Sequence, residues 1–304
     1  MEGIRERCRR GDVLLADGAM GSLLMARGLE KGAAPESLNL TQPGILEDIA
    51  RLYLEAGAEI VQTNTFGASP LKLARYGLES QAAEINAAAV AAVRRVVGDK
   101  AYVSASCGPT GRLLLPFGDT AESEIYEGFV LQIEALLKAG ADAVCIETMT
   151  DLNEARLAVR AARRLSSTIT VMATMTFEPT PRGFFTIMGV SIPAACRALA
   201  EAGADLVGSN CGNGSAQMVA IAREFRKSTT LPLIIQSNAG IPELRQGQVL
   251  YPETPAFMAA AVRDFLDAGV SVIGGCCGTT PGHIRAMRAA LDGYKQDHPG
   301  LPSA

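Results

Sequence analysis

The 304-residue sequence has no tryptophan, only 5% aromatic residues and just two histidines, His283 and His298. Hydrolytic zinc enzymes mostly use neutral imidazole ligands, which leave the metal acidic enough to ionise water, so this scarcity argues against that chemistry. His298 lies in the C-terminal tail. His283 follows TTPG, where Thr280 can cap a helix and Pro281 suits its first position, so helix-start packing is its better reading. There is no Ser-His-Asp spacing and no Walker or GxGxxG loop, which leaves hydrolase and nucleotide readings without support. No apolar run approaches the roughly 18 residues that span a bilayer. The nearest, NAAAVAAVRRVV, is interrupted by two arginines. The start, MEGIRERCRRGD, lacks the apolar core of a secretory signal. A net charge of −4, with basic residues only in short pairs such as Arg9–Arg10, Arg94–Arg95 and Arg163–Arg164, excludes a general nucleic-acid surface. Seven cysteines, an odd number scattered along the chain, point to a reducing, cytoplasmic setting with thiols kept for packing or metal.

What is present is a repeat. The β-rich runs VLLADGAM, EIVQTNTF, YVSASCGP, AVCIETMT, ITVMATMTF, DLVGSNCG, PLIIQSNAG and VSVIGGCCG alternate with helical stretches rich in alanine and charge. Most begin apolar and end on small or polar residues, as buried parallel strands do when they close on a functional loop. The even-numbered runs follow near-identical helix exits, LEAGAEIV, LKAGADAV, AEAGADLV and LDAGVSVI, whose glycine supplies a left-handed cap. Eight such alternations predict a single (β/α)8 TIM barrel; an open doubly wound sheet is the alternative. The barrel is expected over residues 1–292, with 293–304 a tail beyond the last helix. LLPFGDTAESEIYEGF and EPTPRGFFTIMGVS are expected to be long loops on the face where strands end.

In a barrel that face carries the active site. It collects Asp17, Asn64, Cys107, Glu147, Asn210, Cys211, Asn238, Cys276 and Cys277. Successive strand side chains point to opposite faces, yet the glycines of GGCCG allow the backbone to leave strand geometry. Cys276 and Cys277 can then turn toward one ion with Cys211, from two strands away, as third sulfur. Three thiolates suit Zn²⁺. A vicinal disulfide, buried thiols packed for space, and a closed four-cysteine site completed by Cys107 are the alternatives; Cys8, Cys145 and Cys196 read as packing residues. A trithiolate zinc is a poor Lewis acid but holds a fourth thiol, of free pKa roughly 8.5, as a thiolate able to attack an alkyl carbon. The turn ADGAMGS offers N–H groups to a carboxylate, and Asp17 and Glu147 can pair with an ammonium. A turn role for Asp17 and a helix-capping role for Glu147 stand beside that reading.

ADGAMGS, QTNTFGAS, ETMTDLNEA, GSNCG and GGCCGTTPGHI, in this order over nearly the whole length, resemble the motifs of the homocysteine S-methyltransferase family. ASCGPTGRLLLP, MATMTF and QSNAGIP add likeness to the homocysteine-binding module of cobalamin-dependent methionine synthase. The resemblance implies a (β/α)8 barrel with zinc on Cys211, Cys276 and Cys277, and Asn238 near the metal when substrate is absent. It implies that the homocysteine amino group meets Asp17 and Glu147 and its carboxylate the turn Gly18, Ala19, Met20, Gly21, with Asn64 also at the substrate. The product would be methionine. No DxHxxG corrinoid signature occurs, so methylcobalamin would arrive on a partner; betaine or S-methylmethionine are the small-donor alternatives, and a non-catalytic thiol-binding subunit is another.

Overall fold

The computed structural model describes residues 1–30, 32–245 and 248–297. All eight apolar runs form parallel strands: β1 (Leu14–Leu15), β2 (Ile60–Gln62), β3 (Tyr102–Cys107), β4 (Ala143–Met149), β5 (Thr170–Met175), β6 (Leu206–Asn210), β7 (Leu233–Ser237) and β8 (Val270–Gly275). From β2 to β8 each pairs with its neighbour in chain order, and β8 pairs with β1. The remaining seam, β1 to β2, closes through a parallel bridge between Ala16 and Ile60. There the Glu59 N–H donates to Leu15 O at 2.7 Å and the Asp17 N–H to Ile60 O at 3.0 Å. The sheet is thus a (β/α)8 barrel and not an open one. The glycines of the four helix exits, Gly57, Gly140, Gly203 and Gly269, all take positive φ, between 77° and 107°.

Strand alternation divides the core in two. Leu14, Ile60, Cys145, Met172, Ile234 and Val272 point inward and join Ile4 and Cys8 of the helix Ile4–Arg9, which plugs the amino end of the barrel. The intervening positions, Leu15, Val61, Val103, Val144, Val207 and Ile273 among them, pack outward against the surrounding helices. Each such Val, Leu or Ile side chain contributes about 1.5–3 kcal/mol through burial.

Three expectations need correction. The last helix, Pro281–Asp297, runs five residues past the boundary drawn at 292, so the tail begins no earlier than 298, outside the described residues. In LLPFGDTAESEIYEGF only the first half is loop, because the helix Glu122–Lys138 starts within it. EPTPRGFFTIMGVS contains a short hairpin, Glu178–Thr180 with Gly183–Phe185, and a second one, Glu243–Arg245 with Gln248–Leu250, follows β7 unannounced. No helix among the described residues is long and apolar enough to cross a membrane.

Candidate metal and substrate site

The sulfurs of Cys211, Cys276 and Cys277 lie within 4.8 Å of one another, a grouping able to hold a metal ion. Cys211 and Cys277 approach to 3.8 Å. The backbone explains how residues of opposite strand parity converge. Asn210 and Cys276 occupy inward positions. A continued strand would send Cys211 outward, but Cys211 adopts φ 61°, a left-handed conformation rare for a residue with a Cβ, and its sulfur returns to the mouth. After Cys277, Gly278 at φ 78° reverses the chain, and a Cβ there would run into the Tyr251 ring. Thr279 fixes this turn to the first one: its hydroxyl donates to Cys276 O at 2.7 Å and accepts the Ala19 N–H at 3.0 Å. Hydrogen bonds from Cys211 and Cys276, helped by Tyr251, draw the Cys277 thiol well below its ordinary value, whereas bonding to its two neighbours and burial push Cys276 well above.

Cys107 does not join them. It has the parity of Val103 and Ala105, faces the helices and is fully buried, so the four-cysteine site is excluded by direction rather than distance along the chain. Cys8, Cys145 and Cys196 are buried packing residues as expected. His283 is tied to its helix start: Nδ1 accepts the Thr280 N–H at 3.1 Å, so Nε2 donates to Glu253 O at 3.0 Å.

The three sulfurs open into a cavity of about 290 Å³ that Gly18, Ala19, Met20, Gly21, Asn64 and Glu147 also line. Glu147 accepts from the Ser106 hydroxyl and, at 3.3 Å, from Asn210 Nδ2. Burial, only partly offset by Ser106 and reinforced by Cys211, pushes its carboxyl up to about 7. It does not cap the following helix; Asp151 does, accepting from the N–H groups of Asn153 and Glu154. Asp17 and Asn238 are not among the cavity-lining residues. Asp17 is 1% exposed, with Oδ2 accepting the Gln62 N–H at 2.8 Å and Oδ1 without a hydrogen-bond partner. Its burial, beside Glu147, raises it to about 8 despite the Gln62 bond. Asn238 is also buried, with Oδ1 lacking a partner. Asn64 is held by its Nδ2, which donates to Pro35 O at 2.8 Å and Asn39 Oδ1 at 2.9 Å.

Several lining residues were not singled out from sequence: Glu36, Phe66, Thr148 and Tyr251. Glu36 accepts the Gly67 N–H at 2.7 Å, stapling the loop after β1 to the loop after β2. Phe66 and Tyr251 come from loops and Glu36 from a short 3-10 turn, where no periodicity reports direction; Thr148, next to Glu147 in ETMTD, lies in β4, but its φ of 59° breaks the strand alternation there.

Residues 14–291 match the family model described as homocysteine S-methyltransferase. Methionine synthase of Mycobacterium tuberculosis (strain ATCC 25618 / H37Rv) is 37% identical over 303 residues, covering 93% of this chain and 25% of that protein. The Mycobacterium leprae methionine synthase is 36% identical over 298 residues, covering 92% and 24%. The chain therefore spans about a quarter of the length of these relatives. Among solved structures, the metallated form of the Escherichia coli homocysteine methyltransferase MmuM superposes with a TM-score of 0.78 at 24% identity, covering 94% of this chain and 99% of that one. A methyltransferase from Methanosarcina mazei gives a TM-score of 0.59 at 13% identity, covering 94% of each. At such identities these two matches speak for the fold alone. From the family model and the mycobacterial relatives it follows that the chain belongs to the homocysteine S-methyltransferase family.

Proposed function

We propose that this barrel methylates the sulfur of homocysteine to give methionine, with zinc on Cys211, Cys276 and Cys277 and the methyl group delivered from methylcobalamin on a separate protein or module. The observation that carries the reading is the convergence of three half-buried sulfurs in one cavity with Glu147. Zn–S bonds of about 2.3 Å at tetrahedral angles place sulfurs about 3.8 Å apart, and the Cys211–Cys277 separation is 3.8 Å. The donor set fits zinc. Zinc held by these three sulfurs would let an incoming thiol persist as a nucleophilic thiolate.

The chain's own residues do the rest. Glu147, with Asp17 behind it, takes the ammonium. Both carboxyls are raised, and among the described residues no cation pairs with either, so an arriving ammonium favours their ionised forms and the pair acts as its counter-charge. The Gly18–Gly21 turn receives the substrate carboxylate; since the Ala19 N–H is already engaged by Thr279, the N–H groups of the neighbouring residues carry that contact. Asn64 and Phe66 wall the cavity. Asn238, whose buried Oδ1 has no hydrogen-bond partner, would approach the metal when no substrate is present. The thiolate sulfur then forms a bond to the methyl carbon as the bond to the carrier breaks, the electron pair leaving with the carrier.

A protein-borne donor suits the rim. Leu115 and Phe117 after β3, Ile187 after β5, and Ile241 and Leu244 after β7 are all exposed, from 60% to 81%, on the face where the strands end. Exposed apolar side chains gathered on one face mark a surface for a macromolecular partner. Zinc-loaded protein incubated with homocysteine and methylcobalamin is expected to form methionine, with none from betaine or S-methylmethionine. Turnover with either small donor replaces the donor assignment, and homocysteine binding without turnover under all three conditions reduces the protein to a thiol-binding subunit.

A further inference from the structure

Asn210 precedes Cys211 and has no place in the substrate contacts above, yet it is the side chain on which the site converges. Its Oδ1 accepts the Thr148 backbone N–H at 2.7 Å and the Thr174 hydroxyl at 2.8 Å. A backbone N–H can only donate, so the amide orientation is fixed by the structure. Nδ2 must therefore face the other way, where it donates to Thr148 Oγ1 at 2.8 Å and has two further acceptors in reach, Glu147 Oε2 at 3.3 Å and Cys276 Sγ at 3.8 Å. The backbone on both sides is unusual. Thr148, which Asn210 grips by N–H and hydroxyl together, stands at φ 59°, and Cys211 stands at φ 61°. A β-branched residue in the left-handed region persists only where its surroundings over-determine it. Asn210 supplies that restraint from the end of β6, across β5 from Thr148 on β4, and the Thr176 hydroxyl in turn donates to its carbonyl at 3.0 Å.

We propose that Asn210 is a positioning residue for the metal centre. Its amide N–H directs Cys276 toward the shared ion and, through Thr148, sets the turn that presents Glu147. The two protons of Nδ2 face three acceptors, so one is shared between the Glu147 carboxylate and the Cys276 sulfur. When Glu147 turns to a substrate ammonium, that proton is released to the sulfur, which couples recognition of the amino group to the sulfur cage. The inference rests on the zinc reading proposed above.

The test uses Asn210→Ala and Asn210→Asp in the full chain. The aspartate keeps the shape and the acceptor for Thr148 and Thr174 but removes the N–H donor, so it separates the bond to sulfur from the restraint on the turn. Partners behind a metal ligand are worth about 10–100-fold in metal affinity. Zinc affinity, by competition with a chromogenic chelator, is expected to fall about 10-fold in Asn210→Asp and about 100-fold in Asn210→Ala. The sulfur-to-metal charge-transfer band of the cobalt(II)-substituted protein is expected to shift in both. A residue that merely stabilised the fold would lower the unfolding temperature and leave the band unmoved. Wild-type affinity and an unchanged cobalt spectrum in Asn210→Asp overturn the proposal. Wild-type protein that binds neither zinc nor cobalt overturns the zinc reading instead, so the two failures are distinct.

Discussion

Both ends of the barrel hold carboxylates away from solvent, wholly or in part, and treat them in opposite ways. At the amino end each is met by guanidinium. Asp12 pairs with Arg7 at 2.9 Å and Arg10 at 2.7 Å, Glu59 with Arg7 at 3.1 Å and Arg288 at 3.0 Å, and Asp205 with Arg163 and, at 3.5 Å, Arg5. Burial raises the Asp12 carboxyl, but the bonds from Arg10 and Arg7 outweigh it and leave it below its ordinary value. At the carboxyl end, among the described residues, Asp17 and Glu147 form no ion pair and are pushed up to about 8 and about 7, burial being the chief cause. A buried carboxylate met by the protein's own cations stays ionised, whereas a buried acid left without one keeps its proton to higher pH. The cysteines repeat the contrast: four are sealed by packing, while three converge at the open mouth.

The largest effect expected from breaking this contrast lies at the sulfurs. Partners behind a ligand are worth about 10–100-fold, so removing a ligand itself, Cys276→Ala or Cys211→Ala, is expected to cut methionine formation by more than about 100-fold. Metal content measured by emission spectrometry should fall from one per chain toward zero, while Cys145→Ala keeps it at one. Equal metal loss from Cys145→Ala would erase the distinction between the two cysteine sets. Next comes the amino end. Asp12→Ala takes from Arg7 one of its two carboxylates and leaves Glu59 at 3.1 Å, so the cost is expected to stay below that of a buried pair broken outright, about 3–5 kcal/mol. The midpoint of urea unfolding is expected to drop with zinc affinity unchanged; a parallel loss of zinc would mean that the two ends are not independent.

These differences were unevenly legible in the sequence. The strands showed because a parallel strand buried on both faces is a plain apolar run, and the helix exits because a left-handed cap calls for glycine. The cysteine trio showed because a doublet and a SNC turn close nearby strands. The exclusion of Cys107 was readable as well, from alternation alone. Other features depend on contacts distant in the chain. Asp17 sits behind the cavity wall and Glu36 in it, a matter of how one long loop folds back. The last helix continues through Gly293, whose propensity is about 1 kcal/mol worse than alanine. Tyr294 Oη reaching Asp267 at 3.0 Å and Lys295 Nζ reaching Val13 O at 3.4 Å anchor that extension, and neither is local.

The smallest effect is also the one that addresses both ends in a single titration. Asp17 and Glu147 are raised in the folded barrel, so the stability they contribute is complete below the unfolded carboxyl range, near pH 4. It is lost as pH rises through about 7 for Glu147 and about 8 for Asp17. Asp12 is lowered, so its contribution is present above that range and disappears as pH falls through its folded value. Metal-free protein should therefore show an unfolding temperature that declines between about pH 5 and about pH 8.5, a window that lies above the unfolded carboxyl range and takes in both folded values. Asp17→Asn should flatten that decline without altering acid unfolding, and Asp12→Asn should do the reverse. Adding an amino acid without a thiol, such as norleucine, supplies the missing ammonium and should reduce the decline in wild type but not in Glu147→Gln. An unfolding temperature that climbs with pH over this window would show that the mouth carboxyls already have their cation, and the two ends of the barrel would then differ in address only.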